Sequence, residues 1–396
     1  MDDARRHDLK QRACAAIDAR APELIDLSLR IHANPEVAFH EVQASAWLGE
    51  LLATDGFEVV HGIADMPTAF RASAGNGAPV VAILAEYDAL PGIGHGCGHN
   101  IIATAGAGAG IGVRSVIDGI EGTLLVIGTP AEEVYGGKAQ MIRGGAFEGI
   151  DAAMMVHPGT RDAVIAKALA CAELTVEYFG REAHAAASPE NGVNALEAML
   201  MAFNAINSLR QHIRPSARVH GIITDGGEAP NIVPAHSAGS FLVRAEDDEY
   251  LEEMKRRVAA CFEAGAQATG ARVELRWNPN AYLSMNTNMP MADAFRRNYA
   301  ALGRDVPVPE TPRPLGSTDM GNVSKIMPGI HPSIAIAPPT VNAHSPRFAE
   351  AAVSEAGKRA VIDGAKALAM TAIDVLTDAG LRARMREEFE RSRATT

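Results

Sequence analysis

Three short apolar runs constrain this chain more than any other feature: residues 80–85, 122–128 and 151–156. Each is apolar almost throughout, as a strand covered on both faces must be. Helical stretches at 101–117 and 137–143 separate them. Strand–helix–strand alternation of this kind predicts an α/β core with a largely parallel sheet and flanking helices. Ahead of it the pattern predicts a helix ending near Asn34-Pro35, a helix over 41–53, and strands at 57–60 and 68–72.

From about Ala170 the texture changes. An alternating strand at 173–179, a helix at 191–212, strands at 219–224 and 238–244, a helix at 247–268 and a strand at 272–277 spell β-α-β-β-α-β. A chain of 396 residues exceeds one ordinary core. The reading is therefore a discontinuous catalytic α/β domain, 1–169 and 285–396, interrupted by a smaller α+β domain, 170–284. The α/β texture returns with a helix at 291–302, a strand at 333–337 and a helix at 350–376. The charged tail beyond Arg382 is expected to fray.

The net charge of −12 argues against non-specific nucleic-acid binding. No run reaches the roughly 18 apolar residues of a membrane span, and the polar N-terminus lacks a signal-peptide core. Four scattered cysteines, Cys14, Cys97, Cys171 and Cys261, form no CxxC pair. A reduced, cytoplasmic protein with Cys97 free to ligate is the expectation.

The chemistry-bearing residues cluster just past the apolar runs. Asp88, His95, Cys97 and His99 fall within thirteen residues of a glycine-rich turn after the first run. Cys, His and carboxylate are the side chains that bind transition metals, and a C-x-H pair can bring thiolate and imidazole to one ion. Glu132-Glu133 follows the second run, where open α/β sheets place their sites. Adjacent side chains diverge, so one acid can bind metal while the other handles protons. His157 ends the third run, and His344 follows the strand at 333–337. A lone loop histidine is ordinarily a surface residue; successive strand ends each delivering a ligand-type residue are not independent accidents. Gly106–Gly112 does not match G-x-G-x-x-G and reads as close helix packing. In the inserted domain His184 and Asn231 occupy tight loops, where they serve as turn residues or as ligands for a carbonyl or carboxylate.

These residues resemble the M20 metallopeptidase/aminoacylase family, and within it the branch of N-acyl-amino-acid hydrolases, aminobenzoyl-glutamate hydrolase and M20-domain dipeptidases. The likeness spans about residues 20–376. It rests on Glu86-Tyr87-Asp88-Ala89-Leu90-Pro91, Gly94 to Asn100, Thr129 to Glu133, His157-Pro158-Gly159, Gly180 to Ala185, Asn231 to Pro234 and Gly316-Ser317-Thr318-Asp319. The resemblance implies a catalytic domain and a lid domain that commonly dimerises, hence a homodimer. It implies two divalent metal ions per subunit, zinc or manganese foremost and cobalt or nickel as alternatives. Their ligands would be Cys97, His99, Glu133, His157 and His344, with the thiolate bridging. Glu132 would be the general base and Asp88 would orient His99. His184 would stabilise the oxyanion, in its own or the partner subunit's site, and Asn231 would hold the substrate carboxylate.

Glu86-Tyr87-Asp88 stands where many relatives carry His-x-Asp, so the all-His/carboxylate pattern does not apply. Asn100 and Gly316-Ser317-Thr318-Asp319 shift the likeness toward the aminobenzoyl-glutamate and dipeptidase side. The implied reaction is hydrolysis of an amide in a small N-acyl or aminoacyl amino-acid conjugate. The alternatives are hydrolytic deamination of an aromatic amine at the same metals, or a catalytically silent binding protein. Arg244, Arg313 and Lys325 are candidates for recognising an acidic side chain.

Overall fold

The computed structural model describes residues 1–304, 306 and 316–394. The chain divides into two compact units, Met1–Lys167 with Met285–Thr396, and Ala168–Ser284. The first unit opens with α1 (Asp3–Ala33), α2 (Val42–Thr54), β1 (Glu58–His61), β2 (Phe70–Asn76) and β3 (Val80–Glu86). It continues through α3 (His99–Arg114), β4 (Gly122–Thr129), α4 (Glu132–Tyr135), α5 (Gly137–Arg143), β5 (Ala152–Met154) and β6 (His157–Gly159). The second unit holds β7 (Ala170–Phe179), α6 (Ala195–Leu209), β8 (Arg218–Asp225), β9 (His236–Ala245), α7 (Asp248–Thr269) and β10 (Arg272–Trp277). The first unit then resumes with α8 (Met289–Ala301), α9 (Met320–Ser324), β11 (Gly329–Ile330), β12 (Ser333–Ala335), α10 (Pro346–Ala352), α11 (Glu355–Thr377) and α12 (Ala379–Ala394).

The central sheet runs in the order β1-β2-β4-β3-β5-β11. Its pairs are parallel from β4 to β11, whereas β2 is antiparallel to both β1 and β4. Five strands therefore share one direction, and their C-terminal ends share one edge of the sheet. Alternation along the strands explains why they are apolar throughout. Val81, Ile83, Leu124, Val126 and Met154 join the core formed with α1, α3 and α11. Ala82, Leu84, Leu125, Ile127 and Ala153 join a second core with Met141 and Val323 on the other face.

α3 is buried from His99 to Val113. Its small residues make that possible. A Cβ on Gly106 would meet the Leu84 carbonyl at 2.8 Å, and one on Gly112 would meet Ile17 at 2.7 Å. The run of glycines is thus a packing surface, and it fixes how His99, at the head of α3, stands over the sheet.

Three expectations are corrected. The strand in the run at 151–156 is only Ala152–Met154, because the chain leaves the main sheet after Met154; β6, which begins just past the run at His157, pairs in parallel with β12. The helix at 350–376 is broken before Glu355, where Ser354 caps α11 by accepting from the Gly357 N–H. The charged tail is helix α12. Leu381, Met385 and Phe389, spaced four apart, bury one face. Asn288 donates to the Met385 carbonyl at 2.9 Å, and the Met289 N–H donates to Glu388 at 2.7 Å, so the tail is docked.

The second unit is β-α-β-β-α-β, with an antiparallel sheet in the order β10-β7-β9-β8. Alternate residues of β7 and β9 (Leu174, Val176, Tyr178; Phe241, Val243) pack against Met199, Ile206, Val258 and Phe262 of α6 and α7. β8 is an edge strand and leaves Ile222 64% exposed. Among the described residues no helix is long and apolar enough to cross a membrane.

Candidate metal centre

The C-terminal ends of β3 and β4 deliver the first acids. Glu86 closes β3, and Asp88 follows two residues later; both are buried. The chain then turns through Gly98, whose φ is +78° and whose Cβ would strike Pro158 at 2.6 Å. Glycine is required there on both counts, and the turn sets His99 as the first residue of α3. After β4, Ala131 adopts a left-handed φ of 61°, which throws Glu132 and Glu133 into the first turn of α4. Glu41 holds that turn: it accepts from the Ala131 N–H at 2.9 Å and from the Thr68 hydroxyl at 3.0 Å. His157 opens β6. His344 has a φ of 60°, and its N–H donates to the Gly96 carbonyl at 2.9 Å, which ties it to the Cys97 loop.

The result is three overlapping groups whose donor atoms lie within 4.8 Å of one another: Cys97, His99 and His157; Cys97, Glu133 and His344; and Glu86, His99 and Glu132. Cys97 belongs to two of them. Its Sγ is 3.5 Å from His157 Nε2. Glu133 reaches His99 Nε2 at 3.6 Å with one oxygen and His344 Nε2 at 3.5 Å with the other. Two donors on one ion, each bonded at about 2.0–2.3 Å, stand about 3.0–3.7 Å apart. All these separations fall in that range.

Asp88 Oδ1 lies 3.1 Å from His99 Nδ1. When Nδ1 carries the proton, Nε2 faces Glu86 and Glu133 with a lone pair. His99 Nε2 and Glu133 Oε1 are both buried without a hydrogen-bond partner. A proton on Nε2 or a cation between these atoms would satisfy them.

The electrostatics agree. Five carboxylates (Glu86, Asp88, Glu132, Glu133, Asp319) gather at the site with one lysine, Lys138, which is fully buried and paired with Glu86 and Asp319. Burial opposes the charge on Lys138, but Asp319 and Glu86 outweigh it and hold its pKa above the ordinary lysine value. Burial likewise opposes charge on His99, yet Glu86, Cys97 and Asp88 push its pKa well above the usual imidazole range. The position selects a positive charge, whether proton or metal. Burial and the charge of His99 depress His157 to about 4, so its imidazole is neutral near pH 7. Burial, followed by Glu86, Glu133 and Asp319, raises Glu132 well above the carboxylate range. The excess of carboxylates over the single lysine favours cations at the site, and the N, O and S donors suit transition metals.

Of the residues singled out in the sequence, Cys97, His99, Glu132, Glu133, His157, His344 and Asp88 come together in the first unit. His184 and Asn231 lie in the second unit, adjacent to each other. The Ala185 N–H donates to the Asn231 carbonyl at 3.0 Å, and Nδ1 of His184 accepts from the N–H groups of Ala186 and Ala187 at 3.2 and 3.1 Å. In the neutral ring those bonds leave the proton on Nε2. Arg244 lies on β9 and Lys325 just after α9; Arg313 lies outside the described residues. Sequence reasoning gave no role to Glu86, Lys138 or Asp319, although Glu86 opens one of the motifs quoted for the resemblance and Asp319 ends another. It also missed His331, whose ring meets that of His157 edge-on at 5.3 Å.

Residues 82–369 match Peptidase family M20/M25/M40. The chain is 40% identical to the Xaa-Arg dipeptidase of Mus musculus, over 96% of this chain and 92% of that protein. It is 36% identical to one of the p-aminobenzoyl-glutamate hydrolase subunits of Escherichia coli (strain K12), over 69% of this chain and 61% of that protein. In three dimensions it is similar to a dinuclear metal binding peptidase from the M20 family of Bacillus subtilis, with a TM-score of 0.70 and 20% identity, covering 91% of this chain and 99% of that one.

Proposed function

The chain belongs to peptidase family M20/M25/M40 and is a hydrolase, and from that premise we propose that it cleaves the amide bond of dipeptides or N-acyl amino acids with two divalent metal ions. The observation that carries this reading is the sharing of Cys97 between two ligand groups, {Cys97, His99, His157} and {Cys97, Glu133, His344}. A thiolate placed so could serve both ions, and its softness would favour zinc, with manganese, cobalt or nickel admitted by the nitrogen and oxygen donors. When bound, the metals supply Lewis acidity and bring a water's pKa toward neutrality.

The protein's own groups then divide the work. Glu132, adjacent to Glu133 in the first turn of α4, accepts a proton from the attacking water and returns it to the leaving amine. Asp88 fixes His99 through Nδ1. His184 offers Nε2–H to the developing oxyanion, a contact that strengthens as charge builds. Asn231 binds the substrate carboxylate. The exposed edge strand β8 supports a homodimer formed by pairing two copies of the second unit, which sedimentation of the purified protein tests. Dipeptides stand first among substrates because the mouse Xaa-Arg dipeptidase matches nearly the whole chain.

The test is amine release, followed by mass spectrometry, from a pool of dipeptides, N-acyl amino acids and aminobenzoyl-glutamate. It is run with Zn(II) or Mn(II) added and again with chelator. Metal-dependent cleavage of a pool member supports the reading. Protein that carries metal and cleaves none of them contradicts it.

A further inference from the structure

Glu86 is unexplained by the roles assigned above. It is 1% exposed, at the end of β3. Its Oε1 stands 3.2 Å from His99 Nε2, the imidazole nitrogen turned away from Asp88. That approach is not a hydrogen bond, since Nε2 has no partner. A carboxylate oxygen of Glu86 also falls within 4.8 Å of one of Glu132. The other Glu86 oxygen, Oε2, is bound by the Lys138 ammonium. Lys138 is in turn fixed by Asp319, which takes Nζ on one oxygen and the backbone N–H on the other, each at 2.7 Å.

A buried carboxylate needs one counter-charge, and Lys138 supplies it to Oε2. Nothing in that pairing requires Oε1 to face Nε2 of His99. A separation of 3.2 Å is what two neighbouring donors on one ion show, so one ion can take both atoms. Lys138 also restricts the carboxylate: with Oε2 engaged, Oε1 is the oxygen left to ligate.

We propose that Glu86 is a protein ligand, through Oε1, of the metal carried by His99, with Lys138 and Asp319 as positioning residues that hold its carboxylate in a one-oxygen mode. This inference rests on the two-metal reading above. It adds a sixth side chain to the five assigned from the resemblance.

The test titrates Co(II) into the metal-free full-length protein and reads stoichiometry, dissociation constants and the visible spectrum. The wild type is expected to take up two ions per chain. Glu86→Gln is expected to bind one of them at least ~10-fold more weakly, with altered ligand-field bands, by comparison with the 10–100-fold losses typical of disturbed metal sites. Removing a negative charge would weaken binding without any ligation. The double variant Glu86→Gln/Lys138→Met therefore matters most, because it leaves the pocket's net charge unchanged. If Glu86 ligates, the weakening persists in it. If the double variant recovers wild-type affinities and spectrum, the inference is overturned.

A crystal structure of the Co(II)-loaded wild type gives a reading that depends on no variant. Glu86 Oε1 at about 2.0–2.3 Å from cobalt supports ligation, and both oxygens beyond about 3 Å overturn it. Should the wild type fail to bind two ions, the two-metal reading falls and this inference with it. Two ions bound without Glu86 sink the inference alone.

Discussion

Asp88 places one carboxylate oxygen 3.1 Å from Nδ1 of His99. Its other oxygen accepts the Glu133 N–H at 2.9 Å. One buried side chain thus orients a ligand from α3 and one from α4. Burial opposes ionisation of Asp88, but His99 beside it outweighs burial and holds its pKa below the usual range. In Asp88→Asn one of the two oxygens becomes an amide donor, which cannot accept from its neighbour's N–H. Metal affinity is expected to fall ~10–100-fold with the fold intact. Competition against a chromophoric chelator measures it, and unchanged affinity would remove Asp88 from the role of orienting His99.

Cys97 and His99 both hold protons that a metal must displace. Burial, then the charge of Glu133, pushes the Cys97 thiol far up, so it is protonated near neutrality. His99 is held protonated by Glu86 and Asp88 against its burial. Metal uptake near pH 7 is therefore expected to release about two protons per chain, and affinity should rise with pH. Calorimetry in two buffers of different ionisation enthalpy counts them. Cys97→Ser should lower the count by about one and shift preference from zinc toward manganese. A count near zero in the wild type would contradict this account of the metal-free site.

The parts of the site that were legible in the sequence are those made locally. Strand ends are visible as apolar runs, so the positions of Asp88, Glu132-Glu133 and His157 just past them could be read one at a time. The packing role of Gly106–Gly112 was legible for the same reason. The Glu86–Lys138–Asp319 cluster was not, because Lys138 lies 52 residues from one partner and 181 from the other. A lysine on a short helix reads as a solvated face, and a fully buried one is rare. Pairing direction was invisible as well: nothing local marks β2 as the one reversed strand. In α12 the charge content hid a stripe of only three apolar residues, which suffices because Asn288 and Glu388 secure the helix.

Glu132 has the environment of a proton carrier. Burial and the negative charges of Glu86, Glu133 and Asp319 raise its pKa, and bound cations act in the opposite direction. A base must be ionised to accept a proton, so kcat/KM is expected to decline on the acid side as Glu132 becomes protonated. Glu132→Ala should lower kcat by ~10²–10⁴-fold while metal content stays at the wild-type level. Steady-state kinetics alongside metal analysis separates the two. Near-wild-type turnover in that variant would refute the base assignment.

Glu41 carries a cost in stability that the site explains. It is fully buried, and burial, reinforced more weakly by Asp88, lifts its pKa to about 7 despite bonds from Thr68 and the Ala131 N–H. The same side chain pins Ala131 in the left-handed conformation that precedes Glu132 and Glu133. In the unfolded chain a glutamate ionises near its ordinary value of 4.5. Between about 4.5 and 7 the folded protein therefore holds a proton that the unfolded chain has lost. Glu41 contributes its full stability below that range, and the contribution is lost as pH rises through about 7. The difference amounts to on the order of 3 kcal/mol from a shift of this size. Glu41→Gln cannot ionise, and its amide can still accept from Ala131 and donate to Thr68. Relative to wild type, the variant should gain stability steadily from about pH 5 to about pH 8. Denaturation midpoints at each pH, taken for both proteins, isolate Glu41 from the other titrating groups. A difference independent of pH would mean that Glu41 ionises as readily in the fold as outside it.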